Sequence, residues 1–254
     1  MPNRKRARFV ALHVLLARRF PGVDTSAIGA GRILVDGRVL SNPSALVRLD
    51  ASLRVSPERR LRGERKLAHA LLELSVDVDG RVAVDIGANV GGFTTALIDH
   101  GARRVYAVEA GVGLLLGRLR SDPRVVNLEG TNLGDIDSTC VPDVVDLITM
   151  DLSYLAVADA TPQLERLDID DSADLVALVK PTFELRRGTL AATDVDLDRA
   201  VEAASAAATR TGWWIAGTIE SAHPGRGGAR EAFLHARRLK PLVGPIPRSP
   251  GRQA

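Results

Sequence analysis

Residues 82–94 decide the fold: Val82-Ala83-Val84-Asp85-Ile86-Gly87-Ala88-Asn89-Val90-Gly91-Gly92-Phe93-Thr94. The apolar run Val82–Ile86, broken only by Asp85, reads as a buried strand. The glycines that follow read as a tight corner, and Gly92 onward reads as a helix. In open α/β sheets, ligands bind just outside strand ends of this kind.

Outward from that corner the same alternation continues. Strands are predicted at RVYAVEA, RVVNLEG, VVDLITMDLS and DLVALVKP, and helices at GGFTTALIDHG and VGLLLGRLRSD. A long Ala-rich helix, LDRAVEAASAAATRTG, precedes two final strands, WWIAGTIES and EAFLHARRL. Strand–helix alternation predicts an α/β domain with a mostly parallel, seven-stranded sheet covered on both faces. A helix with one apolar face, KLAHALLELSVDV, comes before it.

The front of the chain has a different pattern. Residues 6–20 space apolar groups as a helix, ended by Pro21-Gly22, and a short second helix is expected through Ile28. Strands follow at Ile33 to Val35, after an Asp-Gly turn, and near Leu53 to Val55. The expected organisation is a small α+β module over 1–57, a charged connector over 58–66, the α/β domain over 67–240 and a proline-rich tail over 241–254.

Charge follows the same division. Residues 1–66 carry 15 Lys and Arg against 5 Asp and Glu, whereas the remainder carries 19 against 26. A front balance of +10 beside −7 points to a polyanionic partner, nucleic acid first, because neutralised phosphates release counterions. Arg18, Arg19, Arg32 and Arg38 are the expected phosphate contacts. A single cysteine, Cys140, excludes an intrachain disulfide and disfavours a zinc site, so no metal is expected. No apolar run reaches the roughly 18 residues of a membrane span, and the start lacks a cleavage site, so a cytoplasmic protein is expected.

The glycine corner lacks the G-x-G-x-x-G spacing of a nicotinamide site and the Lys-Ser/Thr of a phosphate loop. The next strand ends in Glu109, suited to the two hydroxyls of a ribose. A corner without phosphate-binding features, followed by a ribose acid, fits S-adenosylmethionine. The expected cofactor contacts are Asp85, facing the ligand's positive end, with Gly87, Gly91, Gly92, Phe93, Glu109, Asn132 and Asp151.

Only four of 34 basic residues are lysines: Lys5, Lys66, Lys180 and Lys240. A Lys, unlike an Arg, can give up its proton.

The stretches RGERKL at 62–67, VDIGANVGGFT at 84–94, SDPRVVNLEGTN at 121–132, DLSYL at 151–155, LVKPTFEL at 178–185 and EAFLHARR at 231–238 have a recognisable order and spacing. Together they resemble the TlyA (hemolysin A) family of ribosomal RNA 2′-O-methyltransferases. That family joins an S-four-type RNA-binding domain to an FtsJ-like catalytic domain. The resemblance implies methylation of ribose in ribosomal RNA, with ribosomal RNA or subunits as partners. It also implies a Lys-Asp-Lys-Glu set at Lys66, Asp151, Lys180 and Glu231. A ribose hydroxyl must lose its proton to attack a sulfonium methyl. A Lys, near pKa ~10.4 unperturbed, could take it if burial and cations lowered that value towards ~7–8. Lys180 is therefore assigned as base or hydroxyl-orienting group, Asp151 as its partner, and Lys66 and Glu231 as positioning groups. Glu109 stands where the family usually has Asp, Leu185-Arg186-Arg187-Gly188 where it often has a Val-Gly-Lys run, and Ala229-Arg230 where it usually has Asn-Val. Such departures allow a second reading, a silent RNA-binding protein that keeps the fold. A membrane-active haemolysin is disfavoured by the absence of a spanning segment.

Overall fold

A computed structural model describes residues 8–56, 61–186 and 193–238. Lys5, Lys240, Arg187-Gly188, residues 58–60 of the expected connector and the expected tail lie outside the described residues.

The front module runs β1 (Phe9–Ala11), α1 (Leu12–Arg19), α2 (Ser26–Gly29), β2 (Ile33–Val35), β3 (Arg38–Val39), β4 (Leu46–Arg48) and β5 (Leu53–Val55). Its strands form a β1–β4 pair and a three-stranded sheet in the order β3-β2-β5. Two expectations are corrected. The predicted helix over 6–20 begins only at Leu12, because Phe9, Val10 and Ala11 pair antiparallel with Arg48, Val47 and Leu46. The strand at Leu46–Arg48 was not anticipated, since three residues give too short a period to read. Leu12, Leu15, Leu16, Ile28, Ile33, Val47 and Leu53 close a core of the module's own.

The second part runs α3 (Arg62–Glu73), β6 (Val82–Ile86), α4 (Gly92–Asp99), β7 (Arg104–Glu109), α5 (Gly117–Arg120), β8 (Val125–Glu129), β9 (Val145–Met150), α6 (Val157–Ala160), β10 (Ile169–Val179), α7 (Pro181–Glu184), α8 (Asp194–Arg210), β11 (Trp213–Glu220) and β12 (Ala232–Arg238). The sheet order is β11-β12-β10-β9-β6-β7-β8. Its pairings are parallel except where β12 meets β10 and β11. Every residue of β6 is buried, as a central parallel strand between two helical layers requires. One face packs α8 over Val84, Ile148, Leu175 and Trp213. The other packs α3 and α4 over Ala83, Leu147, Val176 and Phe233.

Chain order reverses between β6 and β9, which makes their C-terminal ends the ligand crevice of this topology. Two further expectations change. α3 begins at Arg62, so Lys66 is a helical residue and not part of a connector. The helix predicted over VGLLLGRLRSD shortens to Gly117–Arg120, because Leu115, Leu116 and Leu119 turn inward onto Ala88 and Ala107.

Candidate active site

The site is assembled where three strand ends meet α3. Asp151 follows β9, and its N–H donates to the Ile86 carbonyl at 3.0 Å. That bond brings β6 and β9 together at the glycine corner. A methyl on Gly87 would lie 2.6 Å from the Asp151 carbonyl oxygen, and Gly87 has φ +85°, so only glycine suits this corner. Lys180 follows β10, and Glu231 precedes β12. Val179 pairs with Ala232, so one further step of the same register sets Lys180 opposite Glu231.

The four expected catalytic residues form two ion pairs. Lys180 Nζ donates to Asp151 Oδ1 at 2.5 Å, to the Leu152 carbonyl at 2.8 Å and to Ser153 Oγ at 3.1 Å. The three ammonium donors thus have three acceptors, all on the DLSYL stretch. Lys66 Nζ donates to Glu231 Oε2, and both side chains are buried. Gly225 lies directly against the Glu231 carboxylate, where a Cβ would come within 2.7 Å of Cδ. Glu184, from the LVKPTFEL stretch, accepts from the Val157 N–H at 2.5 Å and the Ala158 N–H at 3.3 Å. It fastens the loop carrying Asp151 to the helix that follows Lys180.

The glycine corner is a cleft lined by Leu61, Arg62, Gly63, Gly87, Ala88, Asn89, Val90, Gly92, Phe93 and Asp151. Its wall includes a feature that the sequence reading missed. A methyl on Gly92 would sit 2.9 Å from Gly63 Cα, so α3 and α4 start in backbone contact. Glu64 supports this start by accepting the Leu61 N–H at 3.0 Å. Gly91 has φ +93° and packs against Leu115 and Leu119. Phe93 reaches the cleft and also stacks on Phe233, with centroids 6.0 Å apart.

The expected acids differ in position. Asp85 is fully buried, with Thr94 Oγ1 donating to Oδ2 at 2.6 Å and Thr149 Oγ1 donating to Oδ1 at 2.9 Å. Burial pushes its carboxyl up to about 6, against the two hydroxyl bonds that favour the anion. Asp85 therefore sits behind the corner, and Asp151 is the acid that lines the cleft. Glu109 accepts the Asn89 N–H at 2.9 Å and the Gly111 N–H at 2.7 Å. Asn132 is exposed and reaches Asp135 at 3.3 Å.

Of the expected phosphate contacts, Arg18 and Arg38 are exposed. Arg19 donates to the Ala51 and Leu49 carbonyls at 2.5 and 2.6 Å, and Arg32 to the Ser56 carbonyl at 3.1 Å. The last two tie loops of the front module together. Among the described residues no acid or imidazole cluster suited to a metal occurs, and no helix is long and apolar enough to cross a membrane.

The FtsJ-like methyltransferase family matches residues 59–238. The chain is 38% identical over 219 residues to the 16S/23S rRNA (cytidine-2′-O)-methyltransferase TlyA of Mycobacterium tuberculosis, covering 83% of this chain and 81% of that protein. It is 36% identical over 128 residues to Hemolysin A of Brachyspira hyodysenteriae, covering about half of each. A solved structure from Streptococcus thermophilus, described only as a candidate hemolysin, superposes with a TM-score of 0.68 at 25% identity, over 91% of this chain and 89% of that one. An S-adenosylmethionine-dependent methyltransferase from Mesorhizobium loti shares the fold, with a TM-score of 0.51 at 19% identity over 67% of this chain and 96% of that one. The chain belongs to the FtsJ-like methyltransferase family and, within it, to the TlyA group.

Proposed function

We propose that this chain transfers a methyl group from S-adenosylmethionine to a ribose 2′-oxygen of ribosomal RNA. The observation that carries this reading is the meeting of two Lys–carboxylate pairs, Lys180–Asp151 and Lys66–Glu231, at the strand ends beside the glycine cleft. The named activity of the Mycobacterium tuberculosis relative supports it.

The cleft suits the cofactor. Gly87 and Gly92 leave room for close backbone approach, Asp151 offers an anion towards a cationic tail, and Glu109 stands at the next strand end for a ribose. When bound, the cofactor supplies an electrophilic methyl on a sulfonium. This chain's residues then bring a hydroxyl to it. A 2′-hydroxyl replaces Ser153 Oγ, the longest of the three Lys180 bonds, so that Nζ holds the 2′-oxygen and its proton passes to water as the oxygen attacks, a role worth roughly 10²–10⁴-fold in comparable enzymes. Asp151 fixes the Lys180 Nζ. The buried Lys66–Glu231 pair, which the β10–β12 register sets beside Lys180, positions the ribose. The front module, with Arg18 and Arg38 exposed on a strongly basic segment, places the RNA; we read it as an S-four-type domain.

The test is methyl transfer from labelled S-adenosylmethionine to ribosomal RNA and to subunits, with mapping of 2′-O-methylated positions. Label appearing at ribose 2′-oxygens is the expected result. Binding of RNA without transfer to any ribosomal substrate would overturn the reading.

A further inference from the structure

We propose that the outer face of α3, with Arg65, His69 and His223, grips RNA backbone phosphates next to the reacting ribose. This inference rests on the RNA-methylation reading and adds a binding surface outside the front module. Arg62, Arg65 and His69 recur at i, i+3 and i+7 on α3, so they share one helical face. Lys66 lies on the same helix but turns inward to Glu231, which fixes that face against the site. Arg62 donates to the Gly225 carbonyl at 3.2 Å and joins the helix to the loop that carries His223.

The face is predominantly positive at its N-terminal end, with Glu73 one turn beyond His69 as its exposed acid. Arg65 is exposed, and His69 and His223 are partly exposed. Among the described residues the Arg65 and His69 side chains make no hydrogen bond or ion pair. Of the two acids of α3, Glu64 beside Arg65 is buried and accepts the Leu61 N–H, and Glu73 stands two turns from Arg65. His223 is held below the ordinary imidazole value, first by burial and then by Arg65, His69, Lys66 and Arg62. The positive charge at this edge therefore comes from Arg62 and Arg65, with the His69 and His223 rings beside them as hydrogen-bonding groups. In any RNA strand the 2′-oxygen neighbours the 3′-phosphate. A surface bordering the pair that meets a 2′-oxygen must therefore receive phosphates, and a basic face does so through charge and counterion release.

The experiment titrates protein-free ribosomal RNA against the full-length wild type, Arg65→Glu, Arg65→Lys and the double variant Arg65→Glu/His69→Glu, over a series of salt concentrations. Calorimetry with S-adenosylmethionine reports the integrity of each variant. Arg65→Glu is expected to lose affinity about tenfold or more, and its log–log salt slope to fall by about 0.7–0.9 for each phosphate that the variant no longer neutralises. Arg65→Lys should stay near wild type. Unaltered affinity and slope in both Glu variants would overturn the proposal, even with methyl transfer intact. A loss seen with ribosomal subunits but not with naked RNA would also overturn it, by assigning the face to a ribosomal protein. A wild type that transfers no methyl, together with a weakened Arg65→Glu, would sink the methylation reading and leave this RNA-binding face standing.

Discussion

Under the proposed function two lysines carry the chemistry, and they make different predictions. Lys180 sits at a half-open edge with three acceptors. Lys180→Ala is expected to lower the methyl-transfer rate by about 10²–10⁴-fold while S-adenosylmethionine still binds. Scintillation counting and calorimetry check the two halves, and undiminished transfer would remove Lys180 from its assigned role. Lys66 is enclosed with Glu231, so removing one partner strands a buried charge. Lys66→Met should cost about 3–5 kcal/mol in urea unfolding, and Lys66→Met/Glu231→Leu should recover most of it. The double variant should stay inactive, because stability and positioning depend on the pair in different ways. Both lysines stand out in a sequence that otherwise uses Arg. Arg62 and Arg65 do not, since they look like any other basic residue until α3 is known to run through them.

At the scale of elements, the packing of α3 on α4 is the most exposed to a single atom. Gly92→Ala places a methyl 2.9 Å from Gly63 Cα, and Gly63→Ala places one 3.3 Å from Gly92 Cα. Gly92→Ala is expected to cost about 1–3 kcal/mol and to weaken cofactor binding, because both glycines line the cleft. Gly63→Ala should do the same more mildly. Thermal melts and cofactor titration check this, and an unchanged Gly92→Ala would mean that the helices can part freely. The strands of the sheet were legible because β6, β7, β9 and β10 are long apolar runs. The Gly63–Gly92 approach was not, since it joins residues 29 apart in sequence that share no pattern. Asp85 shows the converse. Its place at a strand end suggested an acid facing a ligand, but the hydroxyls of Thr94 and Thr149 enclose it. Position along the chain indicated its strand and register, but not which side of the corner the carboxylate would face.

For the whole molecule, two buried carboxylates shape acid stability in opposite directions. Burial opposes ionisation of Asp174, but bonds from His235 and Arg81 outweigh it and bring the carboxyl down to about 2. An acid lowered in the folded state stabilises above its unfolded value, near ~3.9, and loses that contribution as pH falls towards 2. Asp85, raised to about 6, has the reverse sign: folding loses stability as pH climbs from its unfolded value towards 6. Urea unfolding should therefore show stability rising from about pH 2 to 4 and declining from about 4 to 6. Asp174→Asn should flatten the first limb, and Asp85→Asn the second. An Asp174→Asn profile that matches wild type below pH 4 would refute the assignment. The Lys66–Glu231 pair also bears on synthesis. Its partners are 165 positions apart, one on the first helix of the catalytic part and the other just before its final strand. A chain whose translation stops short of Glu231 holds a lysine built for an enclosure with nothing to receive its charge. The bond can therefore close only after residue 231 has been made, and it joins the first helix of this part to the residue before its last strand.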